Sequence, residues 1–207
     1  MKKYLLLLLF IPVAQADNLT IRADIWSDNW FAFYLNDQWV AEDSVPITTE
    51  RSFNKESFTF SAQRPFTLNF VLKDFKENNT GLEYIGTRKQ QMGDGGFIAQ
   101  FTDTNTGQLV AATSSEFRCL AIHRAPLNKS CEKSSNPNKE CGWEAEAEPK
   151  NWKGQEQHGW LNAVEYSERT VRPKGGYDQV RWHRDAKLIW SQDLEIDNTL
   201  LCQLVVN

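Results

Sequence analysis

The chain has 207 residues, with 23 Lys and Arg against 27 Asp and Glu, a formal charge of −4 at neutral pH. That balance provides no cationic face able to follow a phosphate backbone, so nucleic acid is excluded as an expected partner. No stretch beyond the first sixteen residues approaches the roughly 20 apolar residues of a membrane-spanning helix, so no integral segment is expected after them.

In chain order, the first element reads as a secretory signal peptide over residues 1–16. Lys2 and Lys3 give a positive start, Tyr4 to Val13 a short apolar run, and Ala14-Gln15-Ala16 a small-x-small cleavage site. Its removal would start the mature chain at Asp17 and leave 21 basic against 27 acidic residues, a formal charge of −6. The expected location is periplasmic or secreted, and the remaining 191 residues are enough for one domain with one sizeable core.

Short alternating runs then dominate. "LTIRADI" alternates through Leu19, Ile21, Ala23 and Ile25, and "SFTFSA" sets Phe58 and Phe60 on one side. "FTLNFVLKDF" sets Phe66, Leu68, Phe70 and Leu72 on one face, with Thr67, Asn69 and Lys73 on the other. A period of two is the mark of strands with one buried face. "GFIAQFTD", "QLVAATS", "YDQVRW", "KLIWS" and the terminal "TLLCQLVV" extend the series, and no helical period is sustained over ten residues. The expected fold is therefore all-β, an antiparallel sandwich with long loops.

One stretch departs from simple alternation. In "SDNWFAFYLNDQWV", Phe31, Phe33 and Leu35 point one way while Trp30, Ala32 and Tyr34 point the other. A strand apolar on both faces must be covered on both. Asn36-Asp37 suits a two-residue hairpin, because Asn and Asp tolerate left-handed backbone, and "QWVAE" is the returning strand.

Four cysteines, Cys119, Cys131, Cys141 and Cys202, all follow the cleavage site. An even count in an oxidising compartment predicts two disulfides with three connectivities open. Cys131–Cys141 closing a polar loop is favoured, which leaves Cys119–Cys202. The spacing does not suit a metal knuckle.

Two segments are longer than ordinary connections, residues 74–96 and 124–160, and long loops in compact domains often carry function. Three histidines, His123, His158 and His183, show no metal-ligand spacing. No nucleophile elbow and no unpaired thiol is expected. "MGDGGF" brings three glycines around Asp94, which suits positive φ or close backbone approach better than a phosphate loop. A structural Ca2+ bound by carbonyl and carboxylate oxygens of the long loops is the one cofactor option. Eight tryptophans raise sugar stacking, which pairs a flat aromatic face with polar groups for hydroxyls. The ligand-binding candidates on this ground are Trp26, Asp28, Asn29 and Trp30 at a strand-entry turn, with Tyr84, Arg88 and Asp94 in the long loop.

These pieces follow a familiar pattern. "DNWFAFYLNDQWV" resembles the hairpin of galactose-binding-domain-like jelly rolls, as found beside bacterial rhamnosidases and related carbohydrate-active proteins. "LVAATSSEFRC", "PKNWKGQEQHGWLNAVEYS" and "AKLIWS" followed by "NTLLCQLVV" resemble further segments of those domains, in a circularly permuted order. Asp37 stands where the family has Gly, Ser114 where it has Asp, and Phe117 where it has Trp. Glu156-Gln157-His158-Gly159 replaces Asp-Asp-Ser.

The resemblance implies a jelly-roll sandwich and a non-catalytic module binding a glycan, or an envelope protein partner, through loops at one end. With the last strand ending beside Asn207, a stand-alone adaptor or envelope component is expected. Two alternatives stand beside it. One is a small hydrolase whose carboxylates, Asp74, Glu83 and Asp94, converge with a histidine in one cleft. The other is a structural or metal-responsive envelope protein.

Overall fold

The computed structural model describes residues 18–154 and 157–207, so the signal-peptide reading of residues 1–16 lies outside the described residues. Fifteen strands are described: β1 (Asn18–Asp28), β2 (Trp30–Leu35), β3 (Gln38–Glu42), β4 (Lys55–Gln63), β5 (Phe66–Lys73), β6 (Leu82–Glu83), β7 (Gln91–Met92), β8 (Gly96–Asp103), β9 (Leu109–Ala112), β10 (Arg118–Arg124), β11 (Glu144–Ala145), β12 (Leu161–Asn162), β13 (Val164–Tyr166), β14 (Leu188–Trp190) and β15 (Asp197–Val206). The two α-helices, α1 (Pro137–Glu140) and α2 (Glu168–Val171), are single turns.

The strands form two antiparallel sheets packed face to face. One runs β13-β14-β8-β1-β4, with β9 also on β8; the other runs β11-β10-β15-β5-β2-β3, with β12 also on β10. The period-two faces read from the sequence meet between them. Ile21, Ala23 and Ile25 of β1 and Phe97, Ala99 and Phe101 of β8 oppose Phe31 and Phe33 of β2, Leu68, Phe70 and Leu72 of β5, and Leu200 and Cys202 of β15. At the centre the Phe70 ring lies 4.9 Å from Phe33 and 4.8 Å from Phe97 between centroids, within the range where offset and tilted aromatic pairs attract.

The hairpin forms where expected. Asn36 takes φ 54°, its carbonyl accepts from Asn69 Nδ2, and its side-chain oxygen accepts from the Thr67 amide at 2.9 Å. β2 lies between β5 and β3, and its outer face is partly roofed by the segment that follows β11. Lys153 Nζ sits 4.3 Å from the Tyr34 ring centroid, and Trp152 and Trp160 cover Leu201, Val71, Leu120 and Ile122 on neighbouring strands. This cover explains why Asn69, on the expected polar face of β5, is fully buried; Gln203, Asn36 and Lys153 supply its hydrogen bonds.

The outer face of the other sheet is covered as well. Trp26, Ile98, Val171, Tyr177 and Leu188 make a second apolar cluster, so β1 is buried without alternation from Ala23 to its end. "YDQVRW", expected as a strand, is instead a 3-10 turn at Tyr177–Gln179. Gly176 enters it at φ 91°, and Tyr177 turns its ring edge-on to Trp26 at 5.7 Å. Packing of Tyr177 against Trp26 outweighs the strand tendency of the segment.

Both expected disulfides form. Cys119 and Cys202 face each other directly across the β10–β15 ladder, and Cys131–Cys141 closes a short loop. On chain-entropy grounds the bridge spanning 83 residues stabilises by about 4.5 kcal/mol and the one spanning 10 by roughly 3.

A candidate acidic cleft at one end of the sandwich

β1 and β5 both run from the aromatic core into acid within a few residues. β1 ends at Asp28 and β5 is followed by Asp74, and both side chains are almost wholly buried. Asn29 ties these ends together. Its amide donates to the Lys73 carbonyl at 2.9 Å, its Oδ1 accepts from the Phe75 amide at 2.6 Å, and its Nδ2 donates to the Glu50 carbonyl at 3.1 Å. The long 74–96 loop then folds back as the two-residue β6–β7 hairpin, which places Glu83 opposite Gln91, and Gln91 Nε2 donates to Glu83 Oε2 at 2.7 Å.

Above the buried pair lies an open cleft of about 370 Å3, lined by Glu50, Arg51, Phe53, Glu83, Tyr84, Gln91, Asp94 and Lys174. Tyr84, at φ 52°, donates its hydroxyl to Glu50 Oε1. Arg51 Nε pairs with Glu50 at 3.3 Å, and Lys174 Nζ lies 5.1 Å from the Phe53 ring centroid. A second cleft of about 520 Å3 adjoins it across Gln91 and Asp94, with Arg172 on its side of Asp94 at 3.9 Å.

The electrostatics follow from burial. Desolvation raises Asp74 well above the usual carboxylate range, and the charges of Asp28, Glu83 and Asp94 push the same way. Asp28 is raised likewise by burial and then by Asp94, with Lys174 opposing. Glu83 is pushed up to about 7 by burial, against the hydrogen bond from Gln91. Asp94 is raised by burial, while Lys174 on one flank and Arg172 on the other restrain it. Neither oxygen of the Asp74 carboxyl has a hydrogen-bond partner. Gly93 lies so close that a Cβ there would fall 1.9 Å from Asp74 Oδ2.

The candidates from the sequence divide accordingly. Asp74, Glu83 and Asp94 do come together, with Asp28 beside them, and Tyr84 shares their cleft. His123 does not join: it lies on β10 with Nδ1 3.0 Å from Asn198 Oδ1, and it does not line the cleft. Trp26 is wholly buried and offers no face for stacking. Its indole instead donates to the carbonyls of Lys174 and Gly175, both at 3.0 Å, which anchors the segment carrying Lys174. Asp28 and Asn29 are buried below the cleft rather than on its surface. Trp30 is half-buried and lines a different cleft, and Arg88 is exposed and outside this one.

The glycines of "MGDGGF" serve close approach alone, with Gly93 against Asp74, Gly95 against Trp190 and Gly96 against Val171, and none of the three takes positive φ. Among the described residues no group of three or more His, Cys, Asp or Glu is gathered tightly enough to hold a metal ion by side chains alone.

Glu50, Arg51 and Lys174 were not singled out from the sequence. Their only local signals are the Gly175-Gly176 pair after Lys174 and the turn-forming "TTERS" around Glu50, which mark loops without marking a site. Compared with known protein families, curated protein sequences and solved structures, the chain matches none of them.

Proposed function

We propose that this chain is an exported, non-catalytic binding module that takes a polyhydroxylated ligand, a glycan, in the cleft between the 74–96 loop and Lys174. The observation that carries the reading is the mixed polar lining of that cleft. Glu50 and Asp94 offer acceptors, Arg51 and Lys174 offer donors, and Glu83 near its titration point serves as either, beside the rings of Tyr84 and Phe53. A sugar needs this combination, because its hydroxyls both donate and accept while its C–H faces prefer aromatic surface. The two disulfides fit an oxidising compartment, and among the described residues no helix is long and apolar enough to cross a membrane. A periplasmic or secreted site of action, a jelly-roll topology and an envelope protein as alternative partner belong to the same proposal.

The test is a glycan array followed by titration calorimetry on the hits, with the Lys174→Ala variant alongside. Loss of about tenfold or more in affinity on removing Lys174 is the expected result. An array blank for the parent protein would end the reading.

One observation favours a second reading. Glu83, with a carboxyl titrating near neutrality, lines the same cleft as the carboxyl of Asp94, and a general acid and its companion carboxylate are arranged in this way. Hydrolysis would show as reducing ends released from an array hit and abolished by Glu83→Gln, whereas a pure binder releases none.

A further inference from the structure

The β2–β3 hairpin carries a further cleft, of about 630 Å3, that shares no residue with the acidic one. It is lined by Trp30 of β2, Trp39 to Glu42 of β3, Asp43, Ser44, Pro46 and Ile47 of the following turn, and Lys73 of β5. Trp39 is 59 % exposed, on a strand at the edge of its sheet, where an indole contributes little to the core. Trp30 is held in place: it sits opposite Lys73 in the ladder, and the Lys73 ammonium lies 4.6 Å from its ring centroid.

Asp43 closes this cleft. Its amide donates to the Phe31 carbonyl at 2.9 Å, and its Oδ1 accepts from the Val45 amide at 2.8 Å, so the side chain is fixed. The residue is only 4 % exposed, yet its Oδ2 has no hydrogen-bond partner. A buried polar atom left unpaired is costly, so the bare Oδ2 at the wall of a cleft calls for a partner. An exposed indole, a second indole braced by a cation and a fixed carboxyl with one spare oxygen together describe a site for a ring with an apolar face and polar edges. A flat hydrocarbon would leave Asp43 unpaired, and a simple cation would meet Lys73.

We propose that the Trp30–Trp39 cleft is a separate binding site for a hexopyranose, stacked by its C–H face on Trp39 and donating a hydroxyl to Asp43 Oδ2, with Lys73 and Glu42 meeting hydroxyls at the rim. The site rests on the reading above for its ligand class but not for its residues. A chain with two unrelated sugar clefts engages a branched or repeated glycan at two points, which raises avidity without enlarging either contact.

The test uses 19F NMR of the chain labelled with 5-fluorotryptophan, with the Trp39 resonance assigned from Trp39→Phe. The probes are methyl glycosides of glucose, galactose and N-acetylglucosamine, with a proline-rich peptide as competitor class. The expected result is a saturable shift of the Trp39 signal with at least one glycoside. Affinity, read from the Trp30 signal in the variants that lack Trp39, should fall about tenfold or more in Trp39→Ala, largely survive in Trp39→Phe and weaken in Asp43→Asn.

The exposure of Trp39 means that Trp39→Ala should keep the parent melting temperature, and unchanged unfolding is checked in the same samples. A glycoside that binds Trp39→Ala as well as the parent, or a Trp39 signal that moves only with the peptide, overturns the inference. The Lys174→Ala chain separates the two proposals. Binding lost there but kept in Trp39→Ala sinks this site and leaves the acidic cleft standing; the reverse pattern does the opposite.

Discussion

Phe70 at the aromatic centre and Asp74 at the acidic end of this molecule are buried to nearly the same degree and differ in what burial does to them. Around Phe70, removal of apolar surface from water is sufficient, and tight ring packing adds to it. Around Asp74, removal from water is the problem, because a carboxylate loses more hydration than its neighbours restore. The two regions are consecutive in the chain: Leu72 ends the core face of β5, and Asp74 follows the strand's last residue, Lys73. Burial is thus one geometric fact with two energetic signs, and the sign is set by the side chain that the strand delivers.

The largest effect should come from emptying the centre. Phe70→Ala removes a ring in contact with five other phenylalanines and should cost about 4 kcal/mol in urea unfolding. A loss under about 1 kcal/mol would mean that the core is not packed as described.

Crowding the acidic end comes next. Gly93→Ala sets a methyl group 1.9 Å from Asp74 Oδ2, a clash neither backbone nor buried carboxyl relieves cheaply, with an expected cost of roughly 2 kcal/mol. If Gly93→Ala is as stable as the parent, the contact between this loop and Asp74 is wrong.

Titration then distinguishes the regions. Asp28, Asp74 and Asp94 titrate above the ordinary Asp value of 3.8, and Glu83 and Asp43 are raised to about 7. The folded chain therefore holds protons that the unfolded chain has already released. Stability from these groups is fully present below their unfolded values, near 3.8 and 4.5, and is lost as pH rises through their raised folded values, which for Glu83 and Asp43 lie at about 7. The melting temperature should thus be lower at pH 8 than at pH 5. Asp74→Asn, neutral at every pH, should raise stability at pH 8 by about 1 kcal/mol and flatten the slope. An unchanged slope in Asp74→Asn would show that the carboxyl is not held in its acid form. Phe70→Ala, by contrast, should shift the whole profile without altering its shape.

The smallest effect is expected outside both regions. Arg88→Ala, on an exposed turn, should change stability by less than about 0.5 kcal/mol and leave glycan binding as it was.

Much of the sandwich was legible because its signals are local. Alternation in "FTLNFVLK" named the core face of β5 residue by residue, and Asn36-Asp37 named the turn. The burial of Asn69 was not legible, since nothing beside it in the chain announces that Trp152 and Lys153 will lie over that face. Trp26 misled for the same reason: an indole beside Asp28 and Asn29 reads as a sugar platform until Tyr177 and Gly175, about 150 residues away, enclose it. The acids of the long loop could be named as a group, but Lys174 and Glu50, which give their cleft its donors and acceptors, come from elsewhere in the chain.

The sequence by itself determined the strand faces, the hairpin and the count of paired cysteines, because each depends on backbone period, turn chemistry or parity. Only the tertiary structure decided which polar groups lost their water. Desolvation depends on what arrives from distant segments to cover a side chain, and no local pattern encodes that.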